Sequence, residues 1–244
     1  MEEIALIAVA FAIGGLLKGA TGAGAPVVAV PLMAAFYGVP FAVAVFAVAN
    51  LFMNIWQVWQ FRADILPRPF ALRLFVSGAI GALLGSLLLF SLPGDILKLL
   101  LVAVVVAYIT LRLVAPGWTL SYKTALTFVA PTYLAAGIVQ TSAGVAAPIT
   151  ITYLSAMRLP RPAFAGTVSL FFLSVAVTQL PTLALLGLLH SNHIFYGLLS
   201  LIPLFGAMPV GAWVANRVPA HVFDKTILAM LVVFAVKLTW DVFG

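Results

Sequence analysis

Apolar residues fill the chain in long runs. Charges and turn residues interrupt them at a few places and mark out eight segments: 4–36, 41–61, 70–91, 95–115, 121–155, 163–189, 194–215 and 222–243. Six have the length of one membrane-crossing helix, about 20 residues. The first and fifth are longer. A single helix over either would rise about 50 Å at 1.5 Å per residue, against a hydrocarbon core of about 30 Å, so each is expected to be broken. The first carries its break in GGLLKGATGAGAP (Gly14–Pro26), whose five glycines and terminal proline disfavour a continuous helix. The flanking pieces, Ile4–Leu17 and Val27–Phe36, would rise only about 21 and 15 Å, and neither comfortably spans alone.

The fifth segment is long for the same reason as the first. At an offset of 122 residues, GLLKGATGAGAP (Gly15–Pro26) lies over GIVQTSAGVAAP (Gly137–Pro148), with Gly15 on Gly137, Gly22 on Gly144, Ala25 on Ala147 and Pro26 on Pro148. The register continues through Leu32 on Leu154, Pro40 on Pro162 and Gln57 on Gln179. It then shifts to 126, pairing Gly85 with Gly211 and Pro93 with Pro219, through extra residues near Ser191–His193. The expected organisation is one membrane domain made of two repeats, 1–120 and 121–244, each a broken or re-entrant first segment plus three transmembrane helices.

Composition removes the alternatives to a membrane protein. Of 244 residues 64% are hydrophobic and only 7% are charged, with a mean hydropathy of +1.22, which leaves no polar surface to wrap a core in water. Chemistry in a soluble domain outside the bilayer is excluded, and the protein is not expected to be an enzyme. The net charge of +6 comes from twelve Lys and Arg spread along the chain without a basic run, so no nucleic-acid partner is expected. With no cysteine, disulfides, thiolate metal sites and cysteine nucleophiles are absent. The N-terminal MEEIALIAVAF has no positive leading region and no small-residue cleavage site, and is expected to begin the first span.

The cations are better used to orient the repeats. If all eight segments simply crossed, the two faces would carry nearly equal positive charge. If segments one and five instead enter and leave on the same side, Arg62, Arg68, Arg73, Arg112, Lys123, Arg158, Arg161, Arg217 and Lys225 fall on one face and only Lys98 and Lys237 on the other. That asymmetry predicts inverted repeats, with the arginine-rich face in the cytoplasm and both termini outside the cell (inner) membrane. Whether the two broken segments are re-entrant hairpins or paired short helices stays open, as does assembly into a homo-oligomer.

Lys18 sits inside the first break, and an ionisable group at membrane depth is a functional residue by default. Around it, Gly19, Thr21, Gly22 and Gly24 free backbone N–H groups, and a second half-helix starting near Pro26 turns its positive dipole end to the same space. A cation, free amides and a helix N-terminus make an anion site. The second copy offers uncharged donors in Gln140, Thr141, Ser142 and Gly144, again followed by a proline, Pro148. The competing reading is a snorkelling lysine with glycines that only permit close packing. Asn50, Asn54 and Gln57 share one face of the second segment, with Ser174, Thr178 and Gln179 at matching depth in the sixth. They line the pathway or serve as interhelical glue, and the repeat favours Gln57 and Gln179 for the pathway. Trp56, Trp59 and Arg62 suggest an interfacial anchor, with a gate as the second reading.

All six acidic residues, Glu2, Glu3, Asp64, Asp95, Asp224 and Asp241, fall near segment ends, so none is placed to bind Na⁺ or relay protons midway. His190, His193 and His221 fall at ends too. QTSAG around Ser142 lacks the first glycine of a nucleophile elbow, which disfavours a serine hydrolase. No cofactor or metal site is expected. The partners are a small anionic substrate and the lipid bilayer.

GGLLKGATGAGAPVVAVPLM (Gly14–Met33), its degenerate copy AGIVQTSAGVAAPITITYL (Ala136–Leu154) and the overall length resemble the sulfite exporter TauE/SafE family of small permeases, also called the sulfonate-uptake permease group. The resemblance covers essentially the whole chain and implies secondary transport of sulfur-containing or organic anions such as sulfite or sulfonates. Its motif positions are Lys18 to Pro26 and Gln140 to Pro148. The second copy departs at Ala146, where the first has Gly24. The reading from residues and the resemblance agree on an alternating-access anion exporter, with an anion-selective channel as the alternative.

Overall fold

The computed structural model describes residues 2–21, 25–114, 119–215, 217 and 220–243. Among them all regular structure is helical: α1 (Glu2–Thr21), α2 (Ala25–Tyr37), α3 (Val39–Gln60), α4 (Arg68–Ser91), α5 (Gly94–Val114), α6 (Tyr122–Ala143), α7 (Ala147–Ala156), α8 (Arg161–Leu185), α9 (Ser191–Leu199), α10 (Leu201–Ala215) and α11 (Ala220–Phe243). Six stretches are long and apolar enough to cross a membrane: Glu3–Thr21, Val39–Gln60, Arg68–Ser91, Gly94–Leu111, Arg161–Leu185 and Ser191–Val214. This is an all-α integral membrane protein of many spans.

Both long segments are broken. The first divides into α1 and α2, and Gly22 and Gly24 between them lie outside the described residues. The fifth divides into α6 and α7 at Gly144, which caps α6 with a left-handed backbone, φ 80°. Such a φ favours glycine, which has no Cβ to clash. Gln140 holds this turn closed, its Nε2 donating to the Gly144 carbonyl at 3.0 Å while its Oε1 accepts from the Ala146 N–H at 2.9 Å. Each short helix then starts with a proline in its first turn, Pro148 in α7 and Pro26 in α2, where a missing N–H costs nothing.

The arms are unequal, which corrects the expectation of two short pieces. With 20 residues, α1 rises about 30 Å and continues helically through Gly14, Gly15 and Gly19 to Thr21. Gly15 and Gly19 remain helical because α10 lies against them. A Cβ at Gly15 would stand 2.3 Å from the Leu204 carbonyl oxygen, and one at Gly19 would stand 1.9 Å from that of Met208. Packing this close outweighs a propensity cost of about 1 kcal/mol per helical glycine. The seventh segment is interrupted as well, where Pro203 has no N–H to give the Leu199 carbonyl. Its helix stops at Leu199 and restarts at Leu201, with the Ser200 hydroxyl donating to the Gly197 carbonyl at 2.7 Å.

Contacts define two ends. At one, the Tyr196 hydroxyl donates to Glu3 Oε2 at 2.8 Å, the Phe41 ring meets Tyr37, His193 and Tyr196, and Lys237 Nζ donates to the Ala35 carbonyl. At the other, Arg161 reaches the last turn of α1, the Leu66 N–H donates to Thr167 and the Leu120 N–H donates to the Ala156 carbonyl. So α2 folds back along α1, with Gly14 facing Ala25 and Ala29, and this hairpin opens at the Glu3 end. The hairpin of α6 and α7 opens at the Arg161 end, where Leu120 and Ala156 meet.

Helices α4 and α6 form one close pair, and α1 and α10 form another. In the first pair, Gly85 stands on the Ile138 carbonyl and Gly137 on that of Gly78; in the second, Gly211 stands on the Leu16 carbonyl and Gly15 on that of Leu204. Leu16 and Ile138 are 122 residues apart, as are Gly15 and Gly137; Gly85 and Gly211 are 126 apart, as are Gly78 and Leu204. One packing arrangement therefore occurs twice, each time between the first helix of one half and the third segment of the other.

Candidate functional site

Lys18 lies in the last turn of α1, 1% exposed, among helices α1, α3 and α8. Its ammonium donates to Asn54 Oδ1 at 2.9 Å and stands 5.9 Å from the centroid of the Phe172 ring. Asn54 Nδ2 donates in turn to the Asn50 carbonyl and to Asn50 Oδ1, both at 2.7 Å. Asn50 Nδ2 reaches the Phe172 carbonyl across on α8 at 3.2 Å. The three residues form one buried polar chain from α1 through α3 to α8. The face of α3 read from the sequence spacing thus converges on the lysine of the break.

No carboxylate among the described residues pairs with this lysine. The described ion pairs, Lys98–Asp95 and Lys237–Asp241, lie at helix ends. Two of the three ammonium donors are free of described partners. A buried cation met only by an amide oxygen and an aromatic face is incompletely compensated, and an anion beside it would supply what is missing.

Lys18 and Gly19 lie on a cavity of about 460 Å³, open at the Arg161 end and lined further by Trp56, Gln57, Gln60 and Arg161 with apolar residues of α8 and α10. None of its lining residues is acidic. Gln57 is 4% exposed and accepts the Ser169 hydroxyl on Oε1 at 2.7 Å, so its amide nitrogen is the group it has to offer. Arg161 donates to the Gly19 carbonyl at 2.9 Å and to that of Ala20 at 3.4 Å. A guanidinium thereby caps the negative end of α1 and stands as a second cation over the mouth.

The other expected site residues are distributed differently. Thr21 donates to the Leu17 carbonyl on its own helix, Gly22 and Gly24 lie outside the described residues, and Pro26 is buried at the start of α2. In the second copy, Gln140 is spent on closing its own break. Thr141 donates to the Gly137 and Ala82 carbonyls and Ser142 to that of Ile138, while Gly144 packs against Val30 and Pro148 is buried. None of these belongs to the lining of the cavity. Gln179, on α8, is 2% exposed and its Nε2 has no hydrogen-bond partner. Trp56 lines the cavity with half its surface exposed, whereas Trp59 stacks on Trp56 and lends its carbonyl to Arg62. The side chains of Arg112, His221, Asp224 and Lys225 lie outside the described residues.

Sequence reading assigned Arg161 to topology alone and passed over Ser169 and Phe172. A loop arginine gives no sign of which distant carbonyls it will reach, and an apolar run gives no sign of which serine faces Gln57.

A multi-span helical bundle with an incompletely compensated buried lysine on an open cavity, with no acidic residue in its described lining, has the features of a membrane transporter of anions. The chain belongs to the family described as Sulfite exporter TauE/SafE, which it matches over residues 6–238. Membership agrees with the resemblance carried by the Lys18 and Gln140 motifs, and the family is one of membrane transporters of sulfite and related sulfur anions. No curated protein and no solved structure gives a significant match.

Proposed function

We propose that the protein exports a small oxyanion, sulfite or an organic sulfonate or carboxylate, by alternating access around Lys18. The observation that carries this is the buried Lys18 ammonium, which has no carboxylate partner among the described residues, on a cavity where Arg161 is the one other charged residue described in the lining. In this reading the anion enters past Arg161, takes the free donors of Lys18 and the Gln57 amide, and leaves Asn54 and Asn50 to hold the lysine in place. The two repeats, 1–120 and 121–244, are inverted and rock about the site. Support for the inversion comes from the two hairpins that open at opposite ends and from the packing register repeated at offsets of 122 and 126. Positive-inside counting puts the Arg161 end in the cytoplasm of the cell inner membrane and both termini outside. An anion leaving a cell that is negative inside gains about 2.3 kcal/mol per charge per 100 mV, so export needs no coupling carboxylate.

The test is binding and flux together. Isethionate, sulfite and acetate are titrated by calorimetry into purified wild-type protein and Lys18→Met, which keeps an unbranched side chain one atom shorter and removes its charge. Loss of at least tenfold in affinity, about 1.4 kcal/mol, is expected with folding retained. Equal affinities would reject the lysine site, and conductance far above carrier turnover in a bilayer would reject the carrier cycle.

A further inference from the structure

The repeat pairs each cavity residue with a mate in the other half, and the polar mates Thr141, Gln179, Thr182 and Ser86 are buried, whereas Leu83, the mate of Pro209, is 44% exposed. Gly19 and Gln60 are accessible in the cavity, whereas Thr141 is 0% and Thr182 is 9% exposed. Arg161 is exposed and its mate Val39 is 1% exposed; Ala212 is partly exposed and its mate Ser86 is 0% exposed. These pairs follow the same offsets, 122 for the first three and 126 for the last, that relate the glycine contacts. Because α8 starts at the Arg161 end, Gln179 and Thr182 lie toward its far, Glu3-end terminus.

One group in the shut half is left without a partner. Gln57 is anchored by the Ser169 hydroxyl, but the mate of Ser169 is Ala47, which has none. Gln179, the mate of Gln57, keeps a buried Nε2 with no hydrogen bond. A buried amide N–H without a partner costs on the order of 1–3 kcal/mol, a cost relieved when water or an anion reaches it.

We infer that Thr141, Gln179, Thr182 and Ser86 line a second anion-binding cavity that opens at the Glu3 end when the first is closed. Its ligand is the same small oxyanion, met first by the Gln179 amide; the hydroxyls of Thr141, Thr182 and Ser86, which donate to helix carbonyls while the cavity is shut, turn to the anion when it opens. The mates of Lys18 and Arg161 are Gln140 and Val39, so this cavity adds no cation of its own. The inference rests on the alternating-access reading. It adds an asymmetry: the anion meets the Arg161 guanidinium at the mouth of one cavity and Val39 at the matching place of the other, where the nearby Lys237 is already paired with Asp241, which makes the Glu3 end the side of release.

The chain has no cysteine, so single-cysteine variants need no background substitutions. Gln60→Cys, Thr182→Cys and Ser86→Cys, the last two nearly isosteric, are placed in oriented vesicles and exposed to a membrane-impermeant maleimide from either face. Isethionate serves as the anion because sulfite itself adds to maleimides. Gln60→Cys is expected to react from one face, and Thr182→Cys and Ser86→Cys at least tenfold faster from the opposite face, with isethionate slowing all three. Reaction of Thr182→Cys and Ser86→Cys from the Gln60 face, or from neither face, in protein that still binds isethionate would overturn the second cavity while leaving the Lys18 site intact. Failure of wild-type protein to bind isethionate, sulfite or acetate would instead remove the reading on which both cavities rest.

Discussion

Lys18 is held by a neutral amide where a carboxylate would have been the obvious companion. Asn54 differs from aspartate by one atom, and the difference decides whether the ammonium is available. Asn54→Asp would create an internal ion pair at the 2.9 Å now spanned by the Lys18 hydrogen bond. The variant is expected to bind isethionate at least tenfold more weakly than wild type by calorimetry, because the lysine then has its counter-charge already; it also loses the two hydrogen bonds Asn54 donates to Asn50, so affinity is read on protein shown to be folded at the assay temperature. Unchanged affinity would mean that the anion does not sit on Lys18. The amide is thus a device for holding a cation in position without neutralising it. Sequence spacing revealed the Asn50–Asn54–Gln57 face and the exceptional lysine, since both are periodic or compositional signals. It did not reveal that Asn54 is the residue that meets Lys18, because that contact depends on how two distant helices pack.

At the scale of helices, the glycines divide into those that touch another backbone and those that do not. A Cβ at Gly211 would lie 2.0 Å from the Leu16 carbonyl oxygen, and one at Gly85 would lie 2.2 Å from that of Ile138, whereas Gly206 has nothing within 4 Å. Gly211→Ala and Gly85→Ala must push helices apart and are each expected to cost about 1–3 kcal/mol, read as a lowered Tm in detergent. Gly206→Ala is expected to leave Tm unchanged or slightly raised. The locations of both breaks were legible, since glycine clusters and a following proline act locally. Their shape was not. Whether a glycine-rich stretch bends or stays helical depends on the neighbour, and α1 stays helical with α2 against Gly14 and α10 against Gly15 and Gly19. The Ser200 interruption was legible too, since Pro203 has no N–H to give the Leu199 carbonyl, but the eight-segment reading passed over it.

For the whole molecule, the two ends differ in charge. The Arg161 end gathers Arg62, Arg68, Arg158 and Arg161 in its connections, while the cations near the Glu3 end, Lys98 and Lys237, are each paired with an aspartate on the same helix. Cysteines placed at Arg68 and Pro160 are expected to react with an impermeant reagent from the cytoplasmic face only; reaction from opposite faces would overturn the hairpin topology. The all-helical, membrane-spanning class was readable from one sequence because the bilayer imposes length and polarity so strictly. The crosswise pairing of helices between halves was not, since nothing in a repeat says whether its members pack within a copy or between copies.

That crosswise pairing sets a timetable for biosynthesis. The glycine face of α1 is complete when the first few dozen residues have left the ribosome, yet Leu204, which covers Gly15, follows 189 residues later. At about 5–20 residues per second, α1 waits roughly 10–40 s in the membrane before its partner is made. During that interval its small-residue face is open to lipid or to other nascent helices. A nascent chain stopped after the first repeat therefore presents a bare docking stripe, which quality-control proteases of the membrane are equipped to find, and the finished protein hides it only when the last third of the chain arrives.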